Sequence, residues 1–346
     1  MSEERSSKIF VGTSGWSYDD WVGPFYPEKT DHGFSRLKFY SRFFDCVEVD
    51  STFYRHFPSK VSEKWISEVN GNPRFVFITK LFKGFTHGPS LRDAISPKAD
   101  TREGGAEFDG NKKIVLEFLA PFRERGKLGG VLVQFSEYFK DSANTRNYVL
   151  YLLEELHDLP LLFELRHTSW YTPHATEFLK KSSVNVIAID QPMLSGMIEF
   201  NTEVAGTVGY IRLHGRNAEA WKESRELLRK NGARLRAETP YSGVQARNTE
   251  HWVREQEASV RYNYLYSNYE LDEIEKKILK VKEKCSRIYV VANNHPMGKA
   301  VANALELVKR LRNQERVRMP DTMIKYFPEL EKIAERVSVS SEEELF

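Results

Sequence analysis

Apolar and polar positions along the chain fall into alternating short and long blocks. Brief β-branched and aromatic runs predict strands over Lys8–Thr13, Cys46–Ser51, Arg74–Lys80, Gly129–Phe135, Pro160–Arg166, Asn185–Asp190, Thr207–His214 and Arg287–Asn293. Between them lie stretches with helical spacing. The first is marked by Phe34, Leu37, Phe39, Tyr40 and Phe43 and the second by Val61, Trp65, Ile66 and Val69, followed by Ile114–Phe122, Tyr148–Leu156, Leu271–Val281 and Ala300–Leu311. Strands that alternate with helices make a parallel sheet with right-handed crossovers. Eight of them in one chain point to a closed (β/α)8 barrel, because closure removes the exposed edges. An open doubly wound sheet is the alternative. It would call for a glycine-rich phosphate turn, and neither GxGxxG nor GxxxxGK[ST] occurs, so no nucleotide cofactor is expected.

Two connections exceed ordinary barrel turns. One is the Gly/Pro/Asp-rich stretch 84–110, expected to precede a helix at Asn111; the other follows His214. The barrel is expected over residues 8–315, with a helical insertion at about 216–261. A C-terminal extension over 316–346 is expected to form one more helix on Met323, Phe327, Leu330 and Ile333, ending in the acidic Glu342–Glu344.

Composition narrows the class. The 346 residues are 40% hydrophobic, enough for a sizeable core, which excludes a disordered chain or a small stapled domain. With 51 Lys plus Arg against 49 Asp plus Glu, a globally basic nucleic-acid binder is not indicated. The 216–261 insertion holds ten basic against seven acidic residues, a mild local bias. The N-terminus has no signal-peptide core and no apolar run is long enough for a membrane span, so a soluble, cytoplasmic protein without membrane contact is expected. Two cysteines, Cys46 and Cys285, support neither a disulfide framework nor a zinc cluster and read as buried, unbridged thiols.

Alternation within barrel strands lets side-chain direction be assigned. Apolar Val47 and Val49, Phe163 and Leu165, and Ile211 and Leu213 are assigned to the helix face. That turns Glu48, Asp50, Glu164, Arg166, Tyr210, Arg212 and His214 inward. The same rule places Lys80, Gln134, Asp190 and Asn293 inward at the exit ends of their strands, where barrel active sites lie. Charges are costly to bury, so this group demands either mutual pairing or a ligand.

The ordered segments Gly12-Thr13-Ser14-Gly15-Trp16, Glu48 to Tyr54, Phe75 to Lys80, Gly129 to Phe135, Phe163 to Trp170, Tyr210 to Arg216 and Asn293-Asn294 resemble the YecE-like family, domain of unknown function 72. The resemblance implies a TIM-barrel fold and a site at these motifs, and little about the reaction. The Tyr262–Tyr266 stretch resembles the family's Tyr-rich segment. Val291-Ala292 and the long insertion after Arg216 depart from the usual pattern.

Three functions are compatible with such a mouth. The first is a metal-assisted phosphodiester hydrolase, nuclease-like, acting on a nucleic acid backbone. Glu48, Asp50, Glu164 and His214 would be ligands to Mg, Mn or Zn, and Asp190 a further acid–base group. Lys80, Arg166 and Arg212 would clamp the anion, Gln134, Asn293 and Asn294 orient it, and Trp16, Tyr54 and Trp170 stack on bases. For Trp16 and Trp170 the alternative is packing of the barrel rim, and for His214 a general base. The second is a metal-free enzyme for a sugar or sugar phosphate, with paired carboxylates as acid and base. The third is a barrel that binds an anionic small molecule or a partner without turnover.

Overall fold

The computed structural model describes residues 8–30, 32–88, 91, 101–203, 206–224, 226 and 260–338. Eight parallel strands form its centre: β1 (Lys8–Ser14), β2 (Cys46–Val49), β3 (Val76–Lys80), β4 (Leu128–Gln134), β5 (Leu161–Glu164), β6 (Ala188–Asp190), β7 (Val208–Leu213) and β8 (Arg287–Ala292). They run in the order β5-β4-β3-β2-β1-β8-β7-β6. Phe163 N donates to Asn185 O at 2.7 Å and Ile187 N to Phe163 O at 3.0 Å, which joins β5 to the start of β6 and all but closes the ring. The molecule is an α/β TIM barrel.

Each strand is buried on both faces, as parallel strands between a lumen and a helical shell must be. Phe10, Cys46, Ile78, Leu132, Leu162, Tyr289 and Val291 fill the lumen. Their neighbours of opposite parity, Val11, Val47, Phe77, Val131, Phe163 and Val290, join the outer core. Around the strands lie α1 (Arg36–Tyr40), α2 (Ser59–Glu68), α3 (Gly84–His87), α4 (Thr101–Glu124), α5 (Ala143–Glu155), α6 (Pro173–Lys181), α7 (Asn268–Lys282) and α8 (Lys299–Leu311). Local chemistry fixes several starts. Ser142 with Thr145, and Ser267 with Glu270, close reciprocal capping boxes on α5 and α7. Pro173 opens α6 behind the Thr172 cap. Both cysteines are buried and unbridged.

Three expectations change. Helix α4 begins at Thr101 rather than Asn111 and runs through Gly105 and Gly110. Its apolar stripe continues back to Phe108, which packs edge-on against Phe85 and beside Tyr151, offsetting a cost of about 1 kcal/mol per glycine. The segment after Pro320 is not one helix. It comprises α9 (Thr322–Tyr326), a 3-10 turn over Pro328–Ile333 and a strand, β10 (Ala334–Val337), paired in parallel with β9 (Val317–Pro320). Phe327 and Pro24 pack against Gly298, and Thr322 Oγ1 donates to Pro24 O at 3.0 Å, fastening this segment beside the loops that leave β1 and β8. Finally, Asp50 and Ser51 leave β2 in a 3-10 turn over Asp50–Phe53. Residues 227–259 of the expected insertion and the acidic end lie outside the described residues.

Candidate functional site

The strand exits deliver a compact ionic cluster. Glu48, Lys80, Gln134, Glu164 and Arg212 share the parity of the lumen residues, as the alternation predicts, and Arg166 continues the inward side of β5. Arg212 is its hub. One terminal nitrogen donates to Glu48 Oε1 at 2.6 Å; the other donates to Glu164 Oε2 at 2.7 Å and to Gln134 Oε1 at 3.4 Å. Glu48 Oε1 also receives Ser14 Oγ at 2.8 Å, and Oε2 receives the Tyr210 hydroxyl. Lys80 Nζ pairs with Asp50 and stands 3.9 Å from Glu48, while Arg166 pairs with Glu164. Three carboxylates therefore meet three cations.

Burial is graded across the cluster. The side chains of Glu48 and Glu164 are 0% exposed and Arg212 2%, whereas Lys80 is 10%, Asp50 31% and Arg166 37% exposed. The inner members hold the barrel together, and the outer ones face the mouth. Burial alone would raise the Asp50 carboxyl, but Lys80 and Arg212, with hydrogen bonds from Lys80 and Ser14, hold it well below the usual carboxylate range. Burial likewise opposes the Glu164 charge and is outweighed by Arg166, Arg212 and Lys80.

His214 behaves in the opposite sense. It is 2% exposed, and burial together with Arg212, Arg166, Lys80 and Arg261 pushes its pKa well below 6.5. Asn293 Nδ2 donates to its Nδ1 at 2.8 Å, so the ring is neutral with its proton on Nε2. Among the described residues Nε2 has no hydrogen-bond partner.

These shifts share a sign. The unfolded chain takes up a proton at His214 below about pH 6.5, and at Asp50 and Glu164 in the ordinary carboxylate range, while the folded chain resists all three. Stability is therefore present above those values and is lost as pH falls. Between pH 7.5 and 5.5 the urea midpoint of the parent is expected to drop by the equivalent of about 1.4 kcal/mol through His214. In His214→Asn that part of the drop should vanish. An unchanged pH dependence in the variant would contradict a neutral, buried His214.

Other expected site residues lie elsewhere. Asp190 is not inward: Ile187 and Ile189 fill the lumen, and Ala188 belongs to the outer core. The lumen at that level is itself apolar, so apolarity does not distinguish the two faces. Asp190 accepts from Arg216 Nε at 2.9 Å and from the Tyr266 hydroxyl at 2.8 Å. Asn294 also points outward, donating to Tyr264 O and Asn303 Oδ1 at 2.8 Å each. Trp170 is fully buried, with Nε1 donating to Phe139 O at 2.8 Å and its ring stacked on Phe139, so it is core and not a platform. Trp16 is half-buried, edge-on to Trp65, and Tyr54 stands 49% exposed beside Phe53.

The expected metal ligands are engaged by protein donors in this structure, Asp50 by Lys80 and Ser14. The carboxylate oxygens of Glu48 and Glu164 are committed to guanidinium, hydroxyl and ammonium donors, and His214 Nδ1 is committed to Asn293. Among the described residues no three His, Cys, Asp or Glu side chains are grouped to hold an ion. No helix there is long and apolar enough to cross a membrane.

Ser14, Tyr18, Tyr262 and His295 join the mouth without having been selected from the sequence. Ser14 shares the parity of Phe10 and could have been found by counting along β1; Tyr18 and His295 lie in loops and Tyr262 ends a helical stretch outside the strands, where strand parity says nothing.

Comparison with known proteins places this architecture among relatives. The chain is 27% identical over 313 residues to the UPF0759 protein YunF of Bacillus subtilis (strain 168), covering 88% of this chain and 94% of that one. The crystal structure of a DUF72 family protein from Thermotoga maritima matches with a TM-score of 0.65 and 25% identity, over 88% of this chain and 99% of that chain. A DUF72 family protein from Enterococcus faecalis matches in fold, with a TM-score of 0.64 and 24% identity over 88% and 95%. Residues 10–325 match the family model described as protein of unknown function DUF72, and the chain belongs to that family.

Proposed function

We propose that the mouth binds a small anionic, hydroxylated substrate of the sugar-phosphate class and acts on it by acid–base chemistry without a resident metal. The observation that carries this reading is His214: an imidazole oriented by Asn293 and kept neutral by burial and by nearby cations, with an Nε2–H that has no hydrogen-bond partner among the described residues. An imidazole kept neutral by its surroundings polarises a substrate carbonyl or hydroxyl as a hydrogen-bond donor and exchanges a proton with it. Imidazolium would be opposed by Arg166 and Lys80, the two groups that favour an anion across the same mouth. The inner carboxylates serve as counter-ions rather than bases. Every negative charge there is matched by a cation, and the depressed pKa values of Asp50 and Glu164 make them poor proton acceptors near neutrality.

Arg166 is the anion contact of choice because its guanidinium is the most exposed of the three cations and has a planar fork suited to phosphate oxygens. With EDTA present, ribose 5-phosphate at roughly 100 times its Kd is expected to raise the melting temperature by about 4 °C. Arg166→Gln should remove that shift while leaving the unliganded melting temperature within about 2 °C, since Arg212 still pairs Glu164. Stabilisation seen only with added divalent metal, and lost in Glu164→Gln, would instead favour metal-assisted phosphodiester hydrolysis. Binding without turnover across phosphate-ester and isomerase assays would reduce the site to a receptor.

A further inference from the structure

The loop leaving β8 brings a second imidazole to the mouth. The His295 ring lies flat on Tyr18, with centroids 4.5 Å apart and planes 6° from parallel, and the Tyr18 hydroxyl donates to Ser14 O at 2.8 Å. Tyr262 stands 5.9 Å from His295 and 5.3 Å from His214. Trp221 follows, 6.2 Å from His214 and edge-on to Tyr262. Tyr18, His295, Tyr262, His214 and Trp221 thus form a continuous arc of rings on the side of the mouth served by β1, β8 and β7. The strand order puts Lys80, Gln134 and Arg166, at the exits of β3, β4 and β5, on the opposite side.

The position of His295 is tightly determined. Trp21 Nε1 donates to its carbonyl at 2.8 Å, and Asp20 Oδ2 accepts from Met297 N at 2.6 Å. Met297 and Gly298 both take left-handed backbone, at φ 57° and 78°. A non-glycine residue there carries conformational strain, of the kind that concentrates at functional sites. Yet among the described residues neither ring nitrogen of His295 has a hydrogen-bond partner, although half-buried polar groups ordinarily find one. Burial lowers its pKa, partly opposed by Asp50 and Asp20, which leaves a ring able both to donate and to accept.

We propose that this arc is the subsite for the hydroxylated ring of the substrate, with His295 as a substrate-binding residue whose imidazole hydrogen-bonds a ring hydroxyl. This deepens the reading above and rests on it for the anionic end, held across the mouth by Arg166 and Lys80. Aromatic faces pack against the apolar face of a sugar ring, and a few placed polar groups fix its orientation. The bipolar mouth therefore selects a molecule with a charge at one end and hydroxyls at the other.

The test is imidazole 15N NMR on the full chain in EDTA, with His295→Gln used for assignment. Ribose 5-phosphate and glucose 6-phosphate are titrated separately from inorganic phosphate. At least one sugar phosphate should move the His295 ring signals, and inorganic phosphate should leave them in place. His295→Gln should weaken sugar-phosphate binding by about tenfold or more, a loss of about 1.4 kcal/mol, and change phosphate affinity by less than about twofold. Sugar phosphates that bind without moving His295, or that bind His295→Gln as well as the parent, overturn the subsite while leaving the anion reading standing. A response of His295 to nucleoside monophosphates but to neither sugar phosphate also overturns it, in favour of a planar heterocycle. Failure of the parent to bind any of these anions removes the reading and the subsite together. If His295→Gln does not fold, the parent's own spectra, assigned through Tyr262→Leu, still decide.

Discussion

Arg212→Met is expected to lower the unfolding free energy by about 3–5 kcal/mol, read as a fall in the urea midpoint at constant slope. The guanidinium is 2% exposed and contacts two carboxylates that are not exposed at all. Removing it leaves Glu48 with two hydroxyl donors, Ser14 and Tyr210, but only a distant ammonium as counter-charge among the described residues, and Glu164 with the half-exposed Arg166. The loss is therefore the cost of stranded buried charge rather than the worth of the original pairs. Two companion variants separate these. Arg212→Lys should recover little, because one ammonium cannot span carboxylates arriving from β2 and β5. Adding Glu48→Gln to Arg212→Met should restore part of the loss by deleting one stranded charge. A loss below about 1 kcal/mol would mean that water reaches the cluster and that its burial is illusory.

Trp170→Ala should cost about 3–5 kcal/mol, the range for emptying a large aromatic site in a packed core. The indole is fully buried, stacked on Phe139 with centroids 5.6 Å apart, and its nitrogen supplies the hydrogen bond to Phe139 O. Tyr54→Ala, at an exposed ring outside the strands, should stay within about 0.5 kcal/mol. Urea unfolding of the two variants side by side distinguishes core from platform. A Trp170→Ala protein as stable as its parent would return this residue to the surface.

The fate of Trp170 illustrates what a sequence can and cannot resolve here. Period-two alternation identified the eight strands and the inward side chains of Glu48, Lys80, Gln134, Glu164 and Arg212. In those strands the outer face is apolar and the inner exit is polar, so the contrast is visible. It failed at Asp190, where isoleucines fill the lumen and valine and alanine line the shell, so that both faces look alike. It was silent in loops. His295 and Tyr18 reach the mouth from loops and Tyr262 from the end of a helical stretch outside the strands, where only folding brings them together. Asn294 was grouped with Asn293 as its neighbour, yet one residue past a strand is enough to turn it towards Asn303 and away from the mouth. The Gly/Pro/Asp-rich composition of 84–110 reads as a loop up to Asn111, whereas Phe108 gives its last part a face to bury and the helix starts at Thr101.

The ribbon of β9 and β10 with its intervening turns shifts where the molecule should be considered to end. Counting strands places the boundary after α8, with the barrel complete and every charge of the lumen in place. But Phe327 and Pro24 flank Gly298, the residue that completes the left-handed turn beneath His295, and Thr322 ties the same segment to the loop after β1. A chain trimmed at Leu311 would keep the whole ionic hub and lose one wall of the turn that sets the height of that imidazole. Such a protein would also lose Met319, Met323 and Leu330 from the main core, so it should melt below its parent as well as misplace a recognition group. The unit that closes the barrel is smaller than the unit that shapes its mouth.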